Sequence, residues 1–292
     1  MSAQFLEVIE QLGFLDQGLP HKSNLVTKLK SATLSEEQAE AAGRIIQEYL
    51  KLSEVFNQTD VELKVWLQNS AEAVDEYIRF LSDVNNKKFS HQSDLISSVV
   101  PELFYYLFKK YVIQNNPDMT VDAQKNIIID VEFVPTKSKV MSLKRKRVDI
   151  AILMPCSLVI NNEEVSNFSL PVLAAEIKTN LDKNMISGIE HSVESFKKAF
   201  PLSKYFVLAE LADFDYRKQN YASSHIDELY ILRKQARSTY RRSGALEGLD
   251  LGLLNEIAER AIDYIGDINK ETSTLAARMA KGKLIKGTIY DD

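Results

Sequence analysis

Residues 168–180 read FSLPVLAAEIKTN, an apolar run that ends in Glu176 and Lys178 with one isoleucine between them. A run of this length between polar residues reads as a strand buried in a sheet. Side chains alternate across a strand, so Glu176 and Lys178 share one face while Ile177 points to the other. A second such run, RVDIAILMP at 147–155, holds Asp149 between Val148 and Ile150. A carboxylate there is costly to bury unless it is paired or bound to a metal. Three charges therefore interrupt two apolar strands. If the strands are neighbours, Asp149 and Glu176 can share a hard cation such as Mg2+, which takes carboxylate oxygens and keeps several waters.

The remaining pattern places this pair inside a larger α/β (α+β) core. NIIIDVEFVP (126–135) is β-branched and reads as a strand, joined to the Asp149 strand by the basic turn TKSKVMSLKRK (136–146). An amphipathic helix is expected at 187–200, strands at 204–211 and 227–235, and a final helix at 248–268. The expected result is a central mixed sheet flanked by helices. In SDLISSVVPELFYYLFKKYVIQ (93–114), Pro101 should open a new helical segment or kink the existing one. Before it, apolar residues recur at three and four (Leu6, Ile9, Leu12; Ile45, Ile46, Leu50; Leu63, Leu67), so the first part reads as helices. Ser35 followed by Glu36 and Glu37 marks a helix start there. The polar segment NNKKFSHQS (85–93) reads as a connector, which divides the chain into a helical region at 1–88 and a core domain at 89–292.

Composition narrows the chemistry. One cysteine, Cys156, excludes an internal disulfide and a multi-cysteine zinc site, and four dispersed histidines offer no metal-ligand spacing. Any metal is left to oxygen ligands. No apolar stretch is long enough for a membrane span and no signal peptide is visible, so a cytoplasmic protein is expected. The net charge of −5 opposes a nucleic-acid partner on average, but the charges are unevenly placed. Residues 1–90 carry 9 basic and 14 acidic side chains. Residues 135–148 hold six basic residues (Lys137, Lys139, Lys144, Arg145, Lys146, Arg147) and no acid, and residues 233–242 hold five (Arg233, Lys234, Arg237, Arg241, Arg242), again with no acid. Two such patches suit an anionic ligand. In the second, Arg233, Gln235 and Arg237 have the side chains that bond base edges in pairs, and Arg241 and Arg242 suit phosphates.

The strand pair resembles that of the PD-(D/E)xK nuclease superfamily, with RVD ending at Asp149 and EIK running from Glu176 to Lys178; Val148 stands where the family often has proline. More narrowly, VVPELFYYLF, RVDIAIL and AAEIKTNLDKNM, in that order, look like type II restriction endonucleases of the group that includes BbvCI. The resemblance implies a Mg2+-dependent, sequence-specific endonuclease acting on double-stranded DNA, with Mn2+ as a substitute. Asp149 and Glu176 would be metal ligands, Lys178 would orient or deprotonate water, and Glu102 in VPELF would be a third ligand. Asn180 and Lys183 become candidates to support the site or contact DNA, and Lys144 to Arg147 to contact the backbone beside it. A double-strand cut calls for two sites, hence a homodimer or a heterodimer with a related subunit. A cognate DNA methyltransferase would share the system without touching this chain. Two other readings compete: a DNA-binding or partner subunit without catalysis, and a repair or junction-cleaving nuclease on the same fold.

Overall fold

The helical periodicity of the first third becomes a set of helices whose ends follow local chemistry. A computed structural model of the chain describes residues 18–31, 35–90, 93–114, 116–133, 141–160, 163–165, 168–218 and 223–280. The expected helical positions Leu6, Ile9 and Leu12, and the basic residues Lys137 and Lys139, lie outside them. Helix α1 (Pro20–Ser31) starts on a proline, whose missing N–H would have no helical partner there. Helix α2 (Glu36–Phe56) has the expected start: Ser35 Oγ accepts the Gln38 N–H at 3.3 Å, and Gln38 Oε1 accepts the Ser35 N–H at 3.0 Å. Helices α3 (Leu63–Ser82) and α4 (Val84–Ser90) follow. Most of the expected polar connector is thus helical. Phe89 is 1 % exposed and anchors α4 in the core, with Asn86 buried on the same helix while Asn85 and Lys87 are exposed. Helices α5 (Ser93–Ser97) and α6 (Val99–Leu107) are separated by a turn at Ser98, with Pro101 in the first turn of α6 as expected; a wider π turn at Phe108–Val112 continues it.

Five strands form the main sheet in the order β1 (Thr120–Phe133), β2 (Met141–Pro155), β5 (Ser169–Asp182), β6 (Lys204–Asp213), β7 (Glu228–Ala236). The first two pairings are antiparallel and the last two parallel, so the sheet is mixed. A small hairpin of β3 (Leu158–Ile160) and β4 (Glu163–Val165) stands apart. The basic segment at 141–146, expected as a turn, is the first part of β2 and pairs with β1 from Lys146↔Ile127 to Met141↔Phe133. Helix α7 (Lys183–Ala199) is capped by Asp182, whose carboxylate accepts the Met185 N–H at 2.8 Å. Helix α8 (Arg237–Ser243) ends at Gly244, which takes the left-handed conformation (φ 68°) usual for glycine at a helix C-terminus. Helix α9 (Leu251–Ala280) follows. Among the described residues no helix is long and apolar enough to cross a membrane.

The sheet has a different partner on each face. Val193 and Phe196 of α7 pack with Val148, Ala174, Tyr205 and Val207 on one side. On the other, Ile150, Ala175, Phe206 and Leu232 share one continuous core with Tyr49, Trp66, Phe104 and Ile257 from the helices. That core runs across residues 88 and 89, joining the N-terminal helices to the sheet.

A buried ion cluster reinforces the same junction. Arg233, at 1 % exposure, was expected to read bases; it faces inward instead. Its Nη1 donates to Asp75 Oδ1 of α3 and to the Glu247 carbonyl, both at 2.6 Å, while its Nε donates to Glu210 Oε2 of β6 at 2.9 Å. Asp75 also accepts the Leu249 N–H at 3.1 Å. Gln235 is likewise committed: its Nε2 donates to the Ala245 carbonyl at 3.0 Å and its Oε1 accepts the Glu247 N–H at 3.3 Å. The cause is an irregularity in β7, where Lys234 adopts φ 46° and pairing with β6 slips between Ala209 and Leu211. Such a bulge re-aims the side chains around it. Arg233→Ala would leave two carboxylates buried without their cation and should cost about 3–5 kcal/mol of folding stability, read from urea unfolding.

Candidate active site

Strands β2 and β5 pair from Pro155↔Ser169 to Ile150↔Ala175. At the next residue of β2, Asp149 Oδ2 accepts the Ile177 N–H of β5 at 2.8 Å. A side chain thus replaces a main-chain acceptor where the ladder ends. This bond brings Asp149 to the Glu176–Lys178 segment, as the sequence suggested. Lys178 Nζ lies 3.0 Å from Glu176 Oε1. Glu176 Oε2 accepts a hydrogen bond from the Tyr205 hydroxyl at 2.9 Å and lies 3.6 Å from Lys146 Nζ.

Two members of this group were not assigned to it from sequence. By sequence Lys146 belongs to a basic, DNA-contacting turn; as a strand residue it reaches Glu176, donates to Ser192 of α7 and sits 5.4 Å from the centre of the Tyr205 ring. Tyr205 opens β6 in an apolar run, and nothing local marks its hydroxyl as anything but a core tyrosine's. The parallel pairing of β5 and β6 sets it beside Glu176.

The electrostatics follow from burial and proximity. Burial pushes the Asp149 carboxyl above its ordinary value, only partly offset by the Ile177 N–H and the Lys178 ammonium, while the Glu176 charge adds to the rise. Burial also pushes Glu176 up, but Lys178 and Lys146 and the hydrogen bonds from Lys178 and Tyr205 together hold it below the usual range. Burial favours loss of the Lys178 proton, yet the Glu176 and Asp149 carboxylates outweigh it and raise its pKa. Lys178 is therefore a cation beside two acids. All the candidate donors to a metal are oxygens, and among the described residues no hydrogen bond reaches Asp149 Oδ1. Two carboxylates plus waters and substrate oxygens are a normal Mg2+ environment, so the residues fit that ion. Among the described residues no set of three or more His, Cys, Asp or Glu side chains is arranged for a metal.

Glu102 does not complete such a set. It is fully buried in the helical region, where Oε2 accepts the N–H groups of His21 at 2.9 Å and Lys22 at 3.1 Å and Oε1 accepts the Tyr49 hydroxyl at 2.8 Å. Its carboxylate caps the start of α1, a favourable place for negative charge. His21 beside it bonds the Leu95 carbonyl through Nδ1 at 2.8 Å and the Tyr77 hydroxyl through Nε2 at 2.9 Å. The motif VPELF marks an acid in a first helical turn, but the partner that claims it comes from 80 residues away.

The other basic candidates remain near the surface. Lys144, Arg145 and Arg147 are exposed along β2, Lys183 is exposed at the start of α7, and Arg241 and Arg242 are exposed on α8, with Arg237 partly so. Asn180, two residues beyond Lys178, is inward; both polar atoms of its carboxamide are buried and, among the described residues, without a hydrogen-bond partner.

Residues 156–247 match the family model for the Bpu10I restriction endonuclease. The match includes Glu176 and Lys178. The solved structure of native BbvCI, an A2B2 tetramer, superposes with a TM-score of 0.69 at 26 % sequence identity, over 88 % of this chain and 98 % of that one. The chain resembles type II restriction endonucleases. The shared region extends well beyond the strand pair, since a superposition over 88 % of the chain reaches into the N-terminal helices as well as the sheet. Comparison with curated proteins gives no match.

Two outcomes test this geometry. Tyr205→Phe removes one hydroxyl from Glu176 without emptying the core and should raise the Glu176 pKa, followed by NMR titration of its side-chain carboxyl. His21 is held by burial at a pKa of about 3, against an ordinary 6.5. The unfolded chain takes up this proton first, so the stability that neutral His21 contributes is complete above pH 6.5 and is lost as pH falls toward 3. Urea unfolding across that range should show a shallower acid loss for His21→Gln.

Proposed function

We propose that this chain is a Mg2+-dependent, sequence-specific endonuclease for double-stranded DNA, or one catalytic subunit of such an enzyme. The observation that carries the reading is the meeting of Asp149, Glu176 and Lys178 at the open end of the β2–β5 ladder, within a chain similar to restriction endonucleases. Asp149 and Glu176 would hold Mg2+, with Mn2+ as a substitute. When bound, that ion supplies charge to a phosphate oxygen and acidifies a water. Lys178 keeps its proton beside Glu176 and orients the attacking water toward phosphorus. Lys146 and Tyr205 fix the Glu176 carboxylate so that it need not reorganise during reaction. The exposed cations of β2 and α8 would lie along the DNA backbone, with Lys183 at the edge of the site.

BbvCI is described as an A2B2 tetramer, which favours an assembly containing a second, related kind of subunit over a symmetric dimer. Each strand of the duplex then meets its own site. A cognate methyltransferase that protects host DNA in the same cytoplasm belongs to this reading. Plasmid incubated with Mg2+ and the chain, together with any partner subunit, should give discrete fragments. Smearing or junction-dependent cutting would point to a repair nuclease, and intact plasmid to a binding subunit. Lys178→Ala should lower cleavage by at least about 10²-fold while leaving specific binding in Ca2+ nearly unchanged. Cutting by that variant at the normal rate would remove Lys178 from the mechanism.

A further inference from the structure

Gln124 lies in the interior of β1 with φ 51°, a left-handed conformation unfavourable for a side chain of this kind. Its position is not arbitrary. The β1–β2 register passes from Ala123↔Ile150 to Lys125↔Val148, so Gln124 stands opposite Asp149. Both strands also reverse their facing at this point. Val121 and Ala123 pack with the helical core, whereas Ile127 and Ile129, of the same parity, pack on the α7 side. In β2, Ile150 and Ile152 face the helical core while Val148 faces α7. The left-handed residue thus coincides with the point, opposite Asp149, where both strands change face. Backbone strain of this kind persists only where the surroundings enforce it, and it collects at functional sites.

The side chain of Gln124 is as constrained as its backbone. Arg147 Nη2 donates to Gln124 Oε1 at 2.5 Å, which fixes the orientation of the amide and leaves Nε2 as the end that donates. Gln124, Arg147 and Asp149 line a cleft of about 300 Å3 together with Asn24, Ser97 and Pro101. Glu176 and Lys178 do not line it, whereas Asp149 both lines it and bonds the Ile177 N–H between them. A fixed amide donor and a guanidinium beside a carboxylate that would hold a metal form a place for an anion, adjacent to the reacting phosphate and not coincident with it.

We propose that Gln124 is a substrate-contacting residue whose amide, held by Arg147, donates to the DNA backbone phosphate next to the one that is cut. The proposal rests on DNA being the substrate. Its test uses the full chain, with its second subunit where one is needed, in Ca2+, on duplexes carrying one neutral methylphosphonate at successive linkages through the recognition site. Gln124→Gly removes the amide while tolerating the left-handed backbone; Gln124→Asn keeps an amide but withdraws it by one methylene. For one linkage beside the cut, neutralisation should weaken wild-type binding by about tenfold, the size expected of a hydrogen bond to a charged group. Both variants should show a much smaller penalty at that linkage and wild-type penalties elsewhere. Equal penalties at every linkage for wild type and variants would overturn the proposal. A chain that binds but never cuts in Mg2+ would overturn the nuclease reading alone, because the linkage map still decides the role of Gln124. Failure to bind DNA at all would overturn both.

Discussion

The hydrogen bond from the Ile177 N–H to Asp149 organises the centre of this molecule. Main-chain pairing of β2 with β5 stops at Ile150↔Ala175, and an unpaired buried N–H beyond it would cost as much as a lost hydrogen bond. A carboxylate takes that N–H. In doing so it holds two separating strands together and becomes a buried charge that needs cationic neighbours. Lys178 answers that need from the neighbouring strand β5, and Glu176 brings in Lys146 and Tyr205. The site is the set of compensations required where a sheet opens.

Two other buried charge clusters explain why the N-terminal helices belong to the same body as the sheet. Arg233 ties α3 to β6 and to the approach of α9, and Glu102 fixes the start of α1 against α2 and α6. Each acid or base in these clusters is hydrogen-bonded by groups from distant parts of the chain, as buried ions must be. The apolar core between them is continuous, so the charged junctions and the hydrophobic packing act on the same helices.

Much of this was legible in the residues. The mixed sheet, the start of α2 at Ser35, the break before Pro101 and the convergence of Asp149 with Glu176 and Lys178 all follow from local pattern: period, cap chemistry, or a charge in an apolar strand. What failed depended on partners that pattern does not name. Arg233 and Gln235 look like Arg241 in sequence, a polar side chain in a basic run, yet a bulge at Lys234 turns them toward Asp75 and the 245–247 backbone. Glu102 is a candidate ligand only through the family resemblance, as an acid on the helix before the first strand, yet the start of α1 claims it. Lys146 and Tyr205 were unreadable as members of the site because a strand pairing and a helix packing bring them there.

The sequence by itself determined that two apolar strands carry Asp149, Glu176 and Lys178, because alternation and the cost of burying charge act within a few residues. It also determined a local excess of positive charge on a chain that is acidic as a whole. Tertiary structure decided which of those charges turn inward and which face solvent. It decided, too, that Gln124 takes a left-handed conformation opposite Asp149, since backbone geometry at one residue of β1 is set by the register of another strand. Hydrophobic period is a property of neighbours along the chain, whereas the fate of a charge depends on every element that packs against it.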